Sequence, residues 1–306
     1  MKTIAQFYTL FWIIYFPTCI AFNELEGFGW IDEIMTVILM AFTFLNSSVS
    51  LNREPRGEYR LFLGILAFYV VYGLIFGENI EKAVLRDMVQ WIRPFSVIYC
   101  TWILNPRFTE RQKNVMLISM LVTLGAWFLY HPEVNVGADA EFPVLGQLAM
   151  CTGMTWYLWK PDNQKNAYIA LAIVLSGMLA PKFKFMGEVV CFVGFVFFLR
   201  GKLQFKSPKT ILALVVLLAV TLYVTWEKFD IYYVSGLNSN ELARPMSYRI
   251  AFTEIIWDYF PFGPGMGTWG CAAAADFYSP LLYKYHMSRV WGCDPSNPMF
   301  VADTFY

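Results

Sequence analysis

Charge is scarce in this chain. Only 15% of its 306 residues are Asp, Glu, Lys or Arg, against about 25% in an ordinary soluble domain. The shortage is uneven: charges gather in short stretches, and the runs between them carry almost none. A water-soluble globule has no need of that arrangement. A bilayer demands it, because its hydrocarbon core takes about 20 apolar residues per helix and penalises ions. Histidine is rarer still. His131 and His286 are the only two, too few for a histidine-rich metal centre, and no DxD triplet is present to hold a metal. Net charge is zero, so no global field points to nucleic acid or an acidic partner.

Apolar residues make up 58% of the chain and aromatics 19%, with Trp and Tyr often near the ends of apolar runs, as an interfacial belt requires. About nine apolar spans can be read, at 3–22, 30–45, 61–77, 94–104, 114–130, 143–159, 167–180, 187–199 and 210–226; the shorter ones tilt or borrow flanking residues to cross. The expected fold is therefore an all-α polytopic membrane protein. The first span reads as a signal anchor, with a signal peptide as the alternative, since Lys2 precedes it. The span at 94–104 begins at Pro94 and follows an amphipathic stretch, 80–93, which is expected to be re-entrant or interfacial. Cys19, Cys100, Cys151 and Cys191 lie in apolar runs and read as small buried hydrophobes.

Lys and Arg in the connections set the orientation. With the N-terminus inside, the inner loops hold Arg53, Arg56 and Arg60; Arg107, Arg111 and Lys113; Lys160 and Lys165; and Arg200, Lys202, Lys206 and Lys209. Outside, 23–29 has no Lys or Arg, and 131–142 carries only Glu133, Asp139 and Glu141. The chain then divides into a transmembrane helical domain, 1–226, and an extracytoplasmic segment, 227–306. Two outer connections break the rule. One holds Lys82, Arg86 and Arg93, the other Lys182 and Lys184. Such cations either contact headgroups, pair with Glu78, Glu81, Asp87 or Glu188, or receive an anionic substrate.

The segment 227–306 is too rich in Trp, Tyr, Gly and Pro to be a linker. Residues 246–260 have a helical apolar pattern, with Ile250, Ile256 and Trp257 near one face, and are expected to lie along the membrane surface. Pro261 stops that helix, and Pro261-Phe-Gly-Pro-Gly-Met-Gly267 must turn sharply. Glycine turns can present backbone N–H groups to a phosphate, but this one lacks the GK[ST] ending of a nucleotide P-loop. Arg249 leads the helix and Arg244 precedes it. Guanidinium groups fork onto phosphate oxygens, so a diphosphate site is expected here. Cys271 and Cys293 lie in the same segment, where a disulfide and two free thiols are both open.

Arg249, the Trp-Asp-Tyr-Phe-Pro-Phe-Gly run at 257–263, and then Gly265 and Gly267 resemble the signature of the O-antigen ligase and O-antigen polymerase superfamily. Fifteen residues separate Arg249 from Gly265, similar to the arginine–glycine loop of the polymerases. Tyr278-Ser-Pro280, Tyr285, Trp291-Gly292 and 300–306, the basic turn at 182–187, Arg86-Asp87 and Arg93-Pro94 also resemble elements of that family. The resemblance implies a GT-C-like membrane glycosyltransferase, inverting and without a metal or other cofactor. It would work on the outer face of the bacterial inner membrane, in synthesis of lipopolysaccharide or capsule. Its substrate would be an undecaprenyl-diphosphate-linked oligosaccharide, and a chain-length regulator would be a candidate partner. On that reading Arg249, Arg244, Lys182, Lys184, Arg86, Arg93 and Gly265 surround the diphosphate. Asp303 or His286 stands near the place where ligases carry a histidine. The family would continue beyond Tyr306 into further helices, so a truncated and inactive product is one alternative; a transporter of lipid-linked glycan or another anionic solute is the other.

Overall fold

A computed structural model of the chain describes residues 2–22, 31–46, 53–130, 143–160, 163–179, 183–198, 208–224, 226–235, 242–298 and 300–301. Among these residues the structure is helical, with no strand, in agreement with the all-α expectation. Among the described residues two helices are long and apolar enough to cross a bilayer: Pro55–Phe76 and Glu110–Leu129.

The chain forms two compact units. The first joins Met1–Ile31 to Pro106–Lys228, and the second joins Asp32–Asn105 to Phe229–Tyr306. The first contains α1 (Lys2–Phe22), α5 (Glu110–Tyr130), α6 (Pro143–Trp159), α7 (Gln164–Ser176), α8 (Phe183–Val193), which continues into a π-helical turn at Gly194–Phe198, and α9 (Pro208–Val224); the short α10 (Trp226–Phe229) lies at its end in sequence. In α1, Phe7, Phe11 and Tyr15 follow one another at four-residue spacing, and the Phe11 and Tyr15 rings stack at 5.8 Å. That spacing keeps them on one helix face. In the α6–α7 seam Gly153 lies against Ala170 and Val174, leaving no room for a Cβ; small residues let helix backbones approach closely. Cys151 and Cys191 do not behave as expected. They are exposed on the outer faces of α6 and α8, whereas Cys100 in the second unit is buried, because an all-apolar run has an outward side as well as an inward one.

The second unit holds α2 (Ile31–Leu45), α3 (Pro55–Phe76), α4 (Glu81–Leu104), α11 (Ala243–Ile250), α12 (Ile256–Asp258), α13 (Ala272–Asp276) and α14 (Pro280–Lys284). Pro55 at the first turn starts α3, and α4 is closed by Asn105 in the left-handed conformation. The sequence suggested a short separate span, re-entrant or interfacial, beginning at Pro94. Instead α4 runs through it as one helix of 24 residues, its first half amphipathic and its second half apolar. The later part of this unit has its own core, in which Ile250, Ile255, Ala274, Leu281, Leu282 and Val290 pack together.

Between α11 and α12 the helix makes one π turn, Ala251–Ile255. This corrects the expected face. Ile250 and Ile255, five residues apart, are buried, while Ile256 and Trp257 are exposed. An i→i+5 turn carries an extra residue, so every later side chain is rotated relative to an uninterrupted α-helix.

Candidate active site beneath the glycine-rich turn

After Tyr259 the chain leaves the helix and turns repeatedly. Gly263, Gly265, Gly267 and Gly270 all have positive φ. The turn does not project into solvent; it is fastened to the α3–α4 pair. The Tyr259 hydroxyl donates to Glu78. The Tyr72 hydroxyl donates to the Gly263 carbonyl at 3.0 Å and the Asn79 amide to the Gly267 carbonyl at 2.5 Å. The Gly267 N–H donates to Asp87 Oδ2 at 2.8 Å. Gly265 lies against the end of α3, where a Cβ would come within 3.3 Å of the Cα atoms of Gly73 and Gly77. Its role here is close packing on a helix.

Below the turn lies a cavity of about 390 Å³, walled by Phe62, Leu66, Tyr69, Trp91, Phe95, Phe262 and Met266. Asp87 is the charged residue of the lining, and it is buried. Burial pushes its carboxyl above the ordinary value; the hydrogen bonds from Gly267, Trp91 and Cys271 oppose that rise without cancelling it. A carboxyl so placed exchanges a proton closer to neutrality than a solvated one and is suited to general acid–base work. The neighbouring Cys271 thiol is pushed up to about 12, first by burial and then by the Asp87 charge, so it stays protonated and poorly nucleophilic. Cys271 and Cys293 are both free thiols.

A second polar group lies on the same unit. The Tyr285 hydroxyl donates to Asp258 at 2.7 Å, and the Lys284 ammonium donates to the Tyr259 hydroxyl at 3.0 Å while sitting 3.6 Å from Asp258. Burial, and then the hydrogen bonds to Glu78 and Asp258, raise the two phenols, Tyr259 and Tyr285. Both remain neutral at physiological pH. The group therefore acts as a strap between the end of α12 and α14, not as a base.

The cations expected around a diphosphate are distributed differently. Arg86 Nε pairs with Asp276 of α13 at 3.4 Å. Arg93 is held by two carboxylates, Asp32 at 3.2 Å and Glu33 at 3.1 Å. Pairing does occur, as one reading of the outer cations anticipated, but with Asp32, Glu33 and Asp276, which the sequence gave no means of matching. Arg244 and Arg249 lie at opposite ends of α11, both half-buried. At 3.6 residues per turn their side chains leave the helix about 140° apart. His286 is exposed and heads a 3₁₀ turn with a left-handed backbone. Lys184 begins α8 of the first unit; its side chain, together with Lys182 and Asp303, lies outside the described residues.

Sequence reasoning singled out Gly265 and Arg86, and the structure brings the Gly265 turn onto the helix that carries Arg86. It passed over Asp87 as a site residue. The signal was there: Ala83, Val84, Asp87 and Trp91 recur at helical spacing, and an acid on that apolar face is out of place. The Arg86–Asp276 pair is partly exposed on both sides, so Arg86→Gln should cost less than about 1 kcal/mol. Thermal unfolding in detergent checks this; a larger loss would mean that Arg86 supports the fold of the turn.

No family model matches the chain, and neither the curated proteins nor the solved structures contain a significant match.

Proposed function

We propose that this chain is a multi-pass glycosyltransferase of the O-antigen polymerase or ligase type, acting at the outer face of the bacterial inner membrane on a glycan carried by undecaprenyl diphosphate. The observation that supports this reading best is the docking of the glycine turn, which follows the Arg249 helix, onto α3 and α4 over an apolar cavity with one buried carboxyl, Asp87. Glycosyl transfer of this type needs two things: a base for the acceptor hydroxyl and positive charge for the departing diphosphate. In the proposed step Asp87 takes the proton of the acceptor hydroxyl. The hydroxyl oxygen bonds to the anomeric carbon with inversion, and undecaprenyl diphosphate leaves with the electron pair of the broken C–O bond. Arg249 supplies charge to the leaving group.

The expected sidedness, with 227–306 outside, rests on the Lys and Arg asymmetry of the connections. The test is Arg249→Ala in the chromosomal gene. Long surface polysaccharide should fall at least about a hundredfold, the scale of losing a charge-stabilising donor, while the protein still inserts. Normal polymer from that strain would remove the role. In a deletion strain, single repeats on the cell-surface lipid indicate a polymerase, and accumulated lipid-linked polymer indicates a ligase.

Transport is the second reading. It is favoured by the Arg93–Asp32–Glu33 group between α4 and α2, since ionisable residues on membrane helices mark solute paths. Movement of lipid-linked glycan across vesicles without any glycan transfer would favour it over the enzyme.

A further inference from the structure

The helical run after Arg249 carries a stripe of large apolar side chains that nothing among the described residues of the second unit covers. Phe252, Ile256, Trp257 and Phe260 all face outward, and Trp257 and Phe260 are 71% and 74% exposed. The opposite side of the same run, Ile250, Ala251 and Ile255, is buried in the unit's own core. The stripe is therefore not a core face awaiting a fold; its partner lies outside this unit.

Three observations identify that partner. The stripe is continuous with the outer face of α3. Phe262, at its end, packs edge-on against Phe68 at 5.2 Å and Tyr72 at 5.8 Å. On α3 itself, Val71, Ile75 and Phe76 are exposed, and this helix is long and apolar enough to cross a bilayer. The stripe carries one Trp and three Phe, side chains of the kind that form the buried face of a helix lying in the membrane interface. The depth also agrees. At about 1.5 Å per residue, the 22 residues of α3 span about 33 Å, slightly more than the hydrocarbon core. Its end at Phe76 then lies at the boundary, and Phe262, against Phe68 and Tyr72, lies one to two turns below it.

We infer that Phe252, Ile256, Trp257, Phe260 and Phe262 form an interfacial anchor, inserted side-on into the lipid surface at the C-terminal end of α3. The anchor fixes the depth of the glycine turn at the lipid surface, because the turn begins at Pro261, between its last two members. This inference rests on α3 crossing the membrane and is independent of the chemistry proposed for the cavity.

The test uses the full-length chain reconstituted into phosphatidylcholine vesicles in which a fraction of the lipid is brominated close to the headgroup. Emission is compared between the wild-type protein and Trp257→Phe, so that the difference isolates one indole among 11. Trp257's share should fall in brominated lipid, as expected of a residue seated in the interface, and should be shielded from aqueous iodide. Three outcomes overturn the inference, and they are distinguishable. If no tryptophan is quenched by brominated lipid, α3 and the membrane assignment fail together. If the other tryptophans are quenched by brominated lipid and Trp257's share is quenched by iodide instead, the anchor alone fails. Shielding from both quenchers would assign the stripe to a protein neighbour.

Discussion

Gly267→Ala should destabilise the second unit by about 3–5 kcal/mol, the range reserved for a small set of structural faults. Two faults coincide at this position. The residue has φ +74°, where an alanine side chain is strained by about 1–2 kcal/mol. A Cβ there would also lie 2.6 Å from the Ala83 carbonyl carbon and 3.0 Å from the Val84 nitrogen. These are backbone atoms inside α4 and cannot swing aside as a side-chain tip would. Relief requires the turn to lift, which breaks the 2.8 Å hydrogen bond to Asp87. Gly263→Ala is the control. Its φ is +79°, yet a Cβ would meet nothing within 4 Å, so only the strain remains, about 1–2 kcal/mol. Thermal unfolding of both variants in the same detergent decides the matter: equal shifts would show that the turn is not pressed onto α4.

Asp87 gives the second large effect, and its two replacements should separate structure from chemistry. Asp87→Asn keeps an oxygen to accept from Gly267 and removes the titration. It should fold as the wild type does, and on the proposed reading it should lose at least about a hundredfold in transfer rate. Asp87→Ala leaves the Gly267 N–H without its acceptor and should lose about 1–3 kcal/mol of stability as well. The pH dependence has a definite sign. The folded carboxyl sits above its ordinary 3.8, so the folded protein holds a proton that the unfolded chain has already released. Stability attributable to Asp87 therefore falls as pH rises from the ordinary value through the raised one, and above it the cost is complete. Asp87→Asn should flatten that limb of the curve. A full-rate Asn variant in an otherwise active protein would leave Asp87 as a fastening for the turn and nothing more.

The helices were legible because their signal is local. The apolar run at 143–159 is α6, Pro143–Trp159, and the runs at 30–45 and 114–130 fall on α2 and α5 within a few residues. α4 was less so, because five charges ahead of Pro94 and that proline within it imitate a boundary. The sharpness of 261–267 could also be read, from glycine and proline alone. What could not be read was where that turn goes. Gly267 and Asp87 are 180 residues apart, and no spacing rule connects them. The ion pairs failed for the same reason. Arg93 has acids close by in sequence, but its partners Asp32 and Glu33 are about sixty residues away, and charge type alone does not choose among many carboxylates. A single π turn was enough to move Trp257 off the expected face, since hydrophobic periodicity assumes an uninterrupted helix.

The partition of the second unit has a consequence for synthesis. α3 and α4 leave the ribosome early, but the turn that completes them emerges only after all of 106–228 has been made. During that interval Asp87 stands on an apolar helix face without the Gly267 amide, and Gly73 without Met266 over it. The nascent chain thus carries a partly satisfied acid beside an uncovered hydrophobic groove until residues 261–267 have been made. Insertion machinery or a chaperone must tolerate, or shield, that half-built pair while residues 106–228 are made.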